Sequence, residues 1–442
     1  MRIVIIGAGA VGSYLAERLS SEGQDVVVVE SDGSRATEVQ GAIDCLVIHG
    51  NGASPSVLEE AGLKRADLLI AVTSSDAVNV LAAHAGARFG VPRRVARVED
   101  PQLLDEADAL GVDLLIDPGE TTAAELVLLV RQGGVSEVIE FADGRLDLIG
   151  GYISDEAPVT GLSLSELKDR VTGWTWVVVA IIRNGATLVG RGSTQLQSGD
   201  HVLIMAETEK ASEAFELLGW TDQPARSVVI LGATRLAKLT ARKMVAEGVH
   251  TVLIDQDADR IRTIAEEMPD VICVLGDPTD ARLLRSEGVG KADAVLALTG
   301  WDEVNILGCL VGKALGAGMT VARFHRVDLV KMLPGVGIDG GVSSRLTAAS
   351  EILRFVRKGH IHSVTTFQDS EAEAIELQVG ETSSAMGRTL ADLNLPRSVI
   401  IGGIIRGSAA FVPRGDTVVQ VGDRLIVIAL PSGRSAVEKL SD

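Results

Sequence analysis

The sequence RIVIIGAGAVG at residues 2–12 joins an apolar run, Arg2–Ile6, to a glycine loop. The run predicts a buried strand, and the segment Ala10–Glu22 after the loop predicts a helix. The next apolar run, DVVVVE at residues 25–30, ends at Glu30, 18 residues after Gly12. Glycines let backbone N–H groups approach a pyrophosphate at a helix N-terminus, and an acid at the second strand tip can accept ribose hydroxyls. We therefore predict a nucleotide site, with a purely structural tight turn as the alternative.

Three further segments should end at the same carboxyl edge of the sheet, where open α/β sheets bind ligands. They carry Asn51, Thr73 with Ser74, and Arg97, for which the structural alternatives are a loop, a helix N-cap and a surface charge. An acid at Glu30 repels a ribose 2′-phosphate, which disfavours NADPH relative to NADH, ADP or ATP. The site residues predicted in this part of the chain are Gly7, Ala8, Gly9, Ala10, Val11, Gly12, Glu30, Ser31, Asn51, Thr73, Ser74 and Arg97.

The same unit occurs a second time. LGATRLA at residues 231–237 follows another apolar run, and KADAVLALTGWDEVN at 291–305 matches RADLLIAVTSSDAVN at 65–79. Late in each unit, SGDHVLIMA at 198–206 matches VGDRLIVIA at 421–429. Such self-similarity indicates a duplication that spans nearly the whole chain.

The second glycine loop is altered, because Thr234 stands for Gly9 and Ala237 for Gly12. Two interpretations of the second repeat are open: it keeps only the fold, or it binds a ligand in a weakened or altered way. We predict tighter nucleotide binding in the first repeat, because the Cβ of Thr234 lies where a pyrophosphate approaches bare backbone. The site residues predicted in the second repeat are Gly232, Asp255, Asp277, Thr299 and Arg323.

Short apolar strands alternate with amphipathic helices in the first part of each repeat, which predicts a doubly wound parallel sheet. Predicted strands are Arg2–Ile6, Asp25–Glu30, Cys45–His49, Leu68–Val72, Arg94–Val98 and Leu114–Asp117. Predicted helices are Ala10–Glu22, Gly33–Gln40, Ser54–Ala61, Asp76–Phe89, Pro101–Leu110 and Thr121–Arg131. From about Ser136 the pattern changes to strands joined by turns, such as Arg183-Asn184-Gly185, with one short helix after Ser165. The fold class is α/β, with two Rossmann-like parallel-sheet domains at 1–134 and 225–358. Each is followed by a small α+β subdomain, at 135–221 and 359–442, and Asp222-Gln223-Pro224 links the repeats.

Composition excludes several classes of protein. There are 41 Lys and Arg against 60 Asp and Glu, so the net charge of −19 repels nucleic acids and anionic lipid headgroups. Three cysteines and apolar runs far shorter than roughly 20 residues favour a cytoplasmic protein without membrane insertion. The histidines are scattered apart from His360 and His362, and no GxSxG elbow occurs, so we predict neither a metal site nor catalytic residues.

Taken together, IGAGAVG, VVVVESD, IHGNGASPSVLEEAG, ADLLIAVTSSDAVN and RVARV resemble the regulatory subunits of bacterial Trk-type potassium uptake systems. That family has two RCK modules, also called KTN, each followed by an RCK-C subdomain. The resemblance implies NAD(H), ATP or ADP at Gly7, Gly9, Gly12, Glu30, Thr73 and Arg97, and no enzyme activity. It also implies a TrkH-like potassium-transporting membrane partner and a homo-oligomer, a tetramer with a ring of eight modules, at the inner face of the membrane.

Two departures from the family pattern bear on function. The usual Gly-Asp after the third strand is Gly50-Asn51 in the first repeat, and Glu120 has Leu346 as its counterpart. The apolar segment Thr121–Val130 suggests a partner surface, with an ordinary core helix as the alternative. An NAD-dependent dehydrogenase and a solute-binding signalling module without a membrane partner are the other candidate functions. The dehydrogenase lacks an evident acid/base in the small subdomains.

Overall fold

A computed structural model describes residues 1–104, 111–131, 135–171, 173–220, 225–326, 336–356, 361–366 and 372–441. The chain forms two compact units. Unit 1 comprises residues 1–122 and 344–356, and unit 2 comprises residues 123–343 and 357–442. The predicted linker Asp222–Pro224 lies outside the described residues.

Unit 1 is built on a six-stranded parallel sheet with the order β3-β2-β1-β4-β5-β6. This is the strand order of dinucleotide-binding folds, and it confirms the predicted Rossmann-like class. The central strands are buried Val, Ile and Leu runs, as expected when helices cover both faces. The strands are β1 (Arg2–Ile6), β2 (Asp25–Glu30), β3 (Leu46–His49), β4 (Leu68–Ala71), β5 (Arg93–Arg97) and β6 (Leu114–Ile116). The helices are α1 (Ala10–Ser21), α2 (Gly33–Ala42), α3 (Pro55–Glu60), α4 (Asp76–Phe89) and α5 (Pro101–Leu104), and α6 (Pro118–Arg131) follows β6.

The first antiparallel sheet follows α6 in unit 2, with the order β10-β9-β11-β8-β7. Asn184 and Gly185 form a two-residue hairpin turn and both have positive φ, as the type I′ geometry requires. The predicted short helix begins at Leu164, one residue before Ser165, because Ser163 and Glu166 form a capping box. The elements are β7 (Glu137–Phe141), β8 (Leu146–Tyr152), α7 (Leu164–Lys168), β9 (Trp176–Arg183), β10 (Ala186–Leu188), β11 (His201–Glu207) and α8 (Ser212–Leu218).

The second repeat has the same architecture within unit 2. Its parallel sheet has the order β14-β13-β12-β15-β16-β17, and its antiparallel sheet the order β18-β19-β22-β20-β21. The parallel-sheet elements are β12 (Ser227–Leu231), α9 (Arg235–Ala246), β13 (His250–Asp255), α10 (Ala258–Glu267), β14 (Ile272–Leu275), α11 (Ala281–Ser286), β15 (Ala294–Ala297), α12 (Asp302–Leu315), β16 (Met319–Arg323) and β17 (Gly340–Val342). Then follow α13 (Ser344–Val356), β18 (Ile361–Thr366), β19 (Glu373–Gln378), β20 (Val399–Arg406), β21 (Ala409–Phe411), β22 (Arg424–Ala429) and α14 (Arg434–Ser441).

The last helix of each parallel-sheet domain packs on the other repeat. In unit 1, Ala349, Ile352 and Leu353 of α13 share a buried core with residues of α1 and β1. In unit 2, Leu126 and Leu129 of α6 share a core with residues of β12 and α9. The apolar face of Thr121–Val130 is therefore covered within the chain, so this segment supplies no partner surface. The ordinary-core alternative describes its packing.

The predicted element ends in the first parallel domain agree with the observed ones within one to three residues. Three strands start or end one residue earlier than predicted, since β4 ends at Ala71, β5 begins at Arg93 and β6 ends at Ile116. Strand β3 begins one residue later, at Leu46. Helix α6 begins at Pro118 rather than Thr121, because Asp117 accepts hydrogen bonds from the N–H groups of the first turn. Residues 105–110 of the predicted helix Pro101–Leu110 lie outside the described residues.

Candidate nucleotide site

The glycine loop of the first repeat lies against the end of β4. Gly7 has φ +99°, and a Cβ on it would lie 2.9 Å from the Thr73 methyl carbon and 3.1 Å from the Thr73 Cα. A Cβ on Gly12 would overlap the Gly7 carbonyl oxygen, whereas one on Gly9 would meet nothing within 4 Å. Gly7 and Gly12 thus serve packing, while Gly9 leaves open space above bare backbone.

Gly9 is the N-cap residue of α1, and no side chain caps this helix. The first-turn N–H groups of a helix have no partner within the helix and attract anions. Ala10 is exposed at this position, whereas Ala8 and Val11 are buried. The loop therefore presents backbone donors at an open surface, as phosphate-binding loops do.

Glu30 joins the glycine loop to the start of α2. Its buried carboxylate accepts hydrogen bonds from the Ala8 N–H at 2.6 Å and from the Asp32 N–H at 2.9 Å. The Ser31 hydroxyl donates a third bond at 3.2 Å. Burial by itself raises the pKa of Glu30, but the bonds from Asp32, Ala8 and Ser31 outweigh it and hold the pKa below its usual value. The carboxylate is therefore ionised at neutral pH, and its hydrogen bonds connect the glycine loop to the start of α2. Its predicted contact with ribose hydroxyls stays a prediction.

Asn79 connects two predicted site residues, Thr73 and Arg97. This fully buried amide accepts from the Thr73 N–H at 2.9 Å and from the Thr73 hydroxyl at 2.7 Å. It donates to the Thr73 carbonyl at 3.1 Å and to the Arg97 carbonyl at 2.9 Å. Asn79 thereby fixes the ends of β4 and β5 against each other beside Gly7, a role that the sequence prediction missed. The recurrence of Asn at the end of both matched segments was the available signal.

The other predicted residues of the first repeat have local partners. Arg97 pairs with Glu99, so its guanidinium already has an anion partner. Asn51 accepts a hydrogen bond from the Ala53 N–H at 2.9 Å, which closes a loop after β3. Ser75 caps α4 through the Val78 N–H, and Ser74 is exposed beside it. The structural alternatives, a loop after β3 and an N-cap on α4, are therefore observed. Asn51 and Ser74 are nevertheless exposed at this edge of the sheet.

The second glycine loop has the same geometry as the first, but a side chain of this loop caps the helix that follows it. Gly232 has φ +108° and packs against Thr299 as Gly7 packs against Thr73. Thr234 caps α9 by accepting from the Ala237 N–H at 3.3 Å, and its hydroxyl donates to the Leu298 carbonyl at 2.7 Å. A side chain thus satisfies a first-turn donor that stays open at Gly9.

The carboxyl edge of the second sheet also forms a cleft of about 540 Å³, which Asp255, Asp277, Thr299 and Thr234 line together with the exposed Trp301. Asp255 accepts from the Ala233 N–H at 2.6 Å and from the Asp257 N–H at 2.8 Å, as Glu30 does in the first repeat. Asn305 repeats the clamp of Asn79, with bonds to Thr299 and to the Arg323 carbonyl. Three of the five residues predicted for the second repeat line this cleft, namely Asp255, Asp277 and Thr299. The Arg323 carbonyl is bound by Asn305, and Gly232 packs against Thr299.

Within the described ranges, no group of three or more His, Cys, Asp or Glu side chains stands where it could hold a metal ion. His360 lies outside those ranges, as does the side chain of His362. No helix in the described part of the chain is long and apolar enough to cross a bilayer.

Matches to known sequence families cover both repeats of the chain. The TrkA-N domain model matches residues 3–118 and 228–344, and the TrkA-C domain model matches residues 152–219 and 374–442. The chain belongs to the TrkA family. A Trk system potassium uptake protein TrkA homolog of Archaeoglobus fulgidus is 36% identical over 97% of both chains. The TrkA protein of Haemophilus influenzae is 32% identical over 97% of this chain and 95% of its own length. TrkA relatives thus match both repeats from end to end.

Solved structures show the same TrkA-type fold. The GsuK RCK domain has a TM-score of 0.62 with 19% identity, and the likeness covers 99% of this chain and 94% of that one. The GsuK channel bound to NAD gives a TM-score of 0.62 over 99% of this chain and 78% of that one, also at 19% identity. GsuK bound to ADP is similar at 0.51 and 17% identity, over 80% of this chain and 69% of that one. Two RCK modules in tandem, each with its C-terminal subdomain, are therefore the fold of this TrkA-family chain.

Proposed function

We propose that the chain is the nucleotide-sensing regulatory subunit of a potassium uptake transporter, in which NAD(H), ATP or ADP controls the conformation of a TrkH-like membrane pore. The observation that carries the proposal is the uncapped N-terminus of α1 at Gly9, with the Glu30 carboxylate at the neighbouring strand tip. TrkA-family membership and relatives named as potassium uptake proteins supply the transport context.

The residues of the first repeat fit a nucleotide. Open space above Gly9 and the donors of the first turn of α1 suit the pyrophosphate. Glu30 keeps one acceptor position for a ribose hydroxyl, because Oε2 accepts only the Ala8 N–H and a carboxylate oxygen can accept two bonds. Arg97 would reach a phosphate by exchanging its partner Glu99. A bound nucleotide supplies negative charge here and is not proposed to react, so we propose no enzyme activity.

The switching element that we propose is the connected set Gly7, Thr73, Asn79 and Arg97. These residues tie the loop to the ends of β4 and β5, so a ligand on the loop also biases the position of Arg97 and Glu99. Two ligands that differ in charge or length would favour different arrangements of that edge. A difference in affinity between two conformations is sufficient to drive a gate.

We further propose a homo-oligomer, a tetramer with eight modules, at the inner face of the cell membrane. Exposed apolar side chains at equivalent positions of the two repeats support self-association. Leu81 on α4 is 55% exposed and its counterpart Leu307 on α12 is 49% exposed. Leu46 and Ile272 on the outer strands β3 and β14 form a second such pair, at 53% and 49%. Recurrence in both repeats favours a contact surface over chance exposure.

For the domain organisation we propose boundaries at 1–134, 135–221, 225–358 and 359–442. With these boundaries α6 lies in the first parallel-sheet domain and α13 in the second. Each helix nevertheless packs on the parallel sheet of the other repeat. The proposal also places the chain in the cytoplasm, where it would meet the membrane only through its transporter partner.

The test combines binding with transport. The full chain is titrated calorimetrically with ADP, ATP and NADH, and potassium flux is then measured in vesicles that contain the membrane subunit. We expect saturable binding of at least one nucleotide and a flux that depends on it. Absence of binding by all three, or NADH turnover with a small-molecule substrate, would contradict the proposal.

A further inference from the structure

Two of the four tryptophans line a pocket in the first antiparallel subdomain, far in sequence from both glycine loops. The pocket has a volume of about 220 Å³ and lies between α7, β9 and the segment Gly190–Gly192. Ile400 of the second antiparallel subdomain forms part of its wall. Sites for drug-sized ligands have volumes of roughly 300–1,000 Å³, so this pocket suits a molecule with a single ring system.

The two indole N–H groups donate hydrogen bonds to residues outside the pocket lining. Trp174 Nε1 donates to the Pro413 carbonyl at 3.1 Å, and Trp176 Nε1 donates to the Glu213 carboxylate at 3.3 Å. Both indole N–H groups therefore have acceptors. Trp176 is buried in the subdomain core, whereas the half-exposed Trp174 offers apolar surface to an occupant. Trp174 also has φ +54°, a conformation that is rare for a bulky residue and often marks a functional site.

The charged side chains of the pocket lining are basic. Among the described residues the lining contains Lys168 and Arg191 and no Asp or Glu, although acids outnumber bases by 60 to 41 in the chain. The Lys168 ammonium lies 5.6 Å from the Trp174 ring centre, and the Arg414 guanidinium lies 5.7 Å from the same ring. Two basic side chains in the lining favour an anionic occupant over a cationic one.

The two tryptophans and Lys168 are specific to the first repeat, whereas Arg191 has Arg414 as its counterpart. The strands β9 and β20 occupy equivalent places, and the second repeat has Arg397 and Val399 where the first has Trp174 and Trp176. Asn394 stands where the first repeat has Lys168. The fold alone therefore does not require two tryptophans and a lysine at this place.

We propose that this pocket is a binding site for a small aromatic carboxylate. The planar ring lies against the half-exposed Trp174 side chain, and the carboxylate faces Lys168 and Arg191. Because Ile400 and Arg414 come from the second antiparallel subdomain, an occupant also contacts both subdomains. This site is separate from both nucleotide crevices and does not depend on the proposed function.

The test titrates the full chain with benzoate and indole-3-carboxylate, beside the neutral benzamide and indole-3-carboxamide. We expect saturable binding of at least one acid and at least threefold weaker binding of its amide. Lys168→Gln should weaken the acid at least threefold and Trp174→Leu should abolish binding. Lys210→Gln removes an exposed lysine of the same subdomain and should change nothing.

The proposal is overturned if neither acid binds saturably, if the amides bind as tightly as the acids, or if Lys210→Gln weakens binding as much as Lys168→Gln does. Lys168 is exposed, so its substitution leaves the fold intact even if the Trp174 variant fails to fold. Circular dichroism of each variant distinguishes these cases.

Discussion

The hydroxyl of Thr234 donates to the Leu298 carbonyl at 2.7 Å while it accepts from the Ala237 N–H at 3.3 Å. Gly9, at the equivalent place in the first repeat, has no side chain that could do either, and its helix has no side-chain cap. One repeat therefore has a side-chain cap at its helix N-terminus, and the other has none.

Gly9→Thr should convert the first loop into a copy of the second. Gly9 has φ −68° and ψ −173°, which a threonine adopts without strain, and open space surrounds its Cβ position. We expect nucleotide affinity to fall at least tenfold, about 1.4 kcal/mol. The free energy of unfolding should change by no more than about 0.5 kcal/mol, because Thr and Gly are similar N-caps. Calorimetric titration and urea unfolding measure the two quantities.

The matched variant is Thr234→Gly, which removes the internal cap of the second loop. It should leave the affinity of the principal site unchanged. If Gly9→Thr leaves nucleotide binding intact, the principal site does not lie in the first repeat.

Glu30→Gln tests the ionised carboxylate that orders the first loop. The wild-type chain should be more stable than the variant by about 1–3 kcal/mol at pH 7. The reason is that the Ala8 N–H and the Asp32 N–H donate to different oxygens of Glu30, and a glutamine side chain has only one oxygen. The folded-state pKa of Glu30 lies below the ordinary value of 4.5, so this advantage is present above pH 4.5 and disappears as the pH falls through the folded-state pKa. Urea midpoints between pH 3 and 7 measure the difference. Glu38→Gln, on the exposed face of α2, should show no such trend.

Asn79→Ala should destabilise the first parallel domain strongly. It leaves the Thr73 N–H and the Arg97 carbonyl without partners in a buried place, at roughly 1–3 kcal/mol for each group. We expect a loss of at least about 2 kcal/mol in urea unfolding, together with weaker nucleotide binding. Asn51→Ala changes an exposed asparagine and should cost less than about 0.5 kcal/mol. Equal losses of unfolding free energy in the two variants would contradict the role of Asn79 in holding the ends of β4 and β5 together.

Leu81→Asp and Leu307→Asp test the proposed contact surface. Both leucines are half-exposed in the single chain, so a charge there should not disturb folding, whereas it would be costly inside an interface. We expect the double variant to sediment as a smaller species than the wild-type chain at micromolar concentration. A monomeric wild-type chain, with and without nucleotide, would refute the proposed oligomer.

Local patterns in the sequence predicted much of the fold. The glycine loop, the strand that ends at Glu30 and the duplication are read from neighbouring residues, and the observed ends differ by one to three residues. Gly7 was predictable because only glycine readily adopts its positive φ beside Thr73. The steric role assigned to Thr234 stays a prediction. Its hydrogen bond to the Leu298 carbonyl was not predictable, because it joins residues 64 positions apart.

The remaining features depend on contacts between distant segments. Helices α6 and α13 have similar apolar faces, so the sequence did not indicate that each would pack on the other repeat. Asn79 is an ordinary polar residue in sequence, and only burial between β4 and β5 makes it a clamp. The pocket beside Trp174 requires four segments from two subdomains, which no local pattern brings together.

The packing of α13 on the first parallel sheet has a consequence for synthesis on the ribosome. Strand β6 ends at Ile116, yet the helix that covers part of this sheet ends only at Val356, about 240 residues later. At roughly 5–20 residues per second, the ribosome needs about 12–48 s to make that interval. During this time the apolar surface beneath Ala349 and Ile352 is open to water, to chaperones or to other nascent chains. A gene cut between the repeats would therefore yield two fragments that each lack a wall of their own core, and they should fold well only when made together.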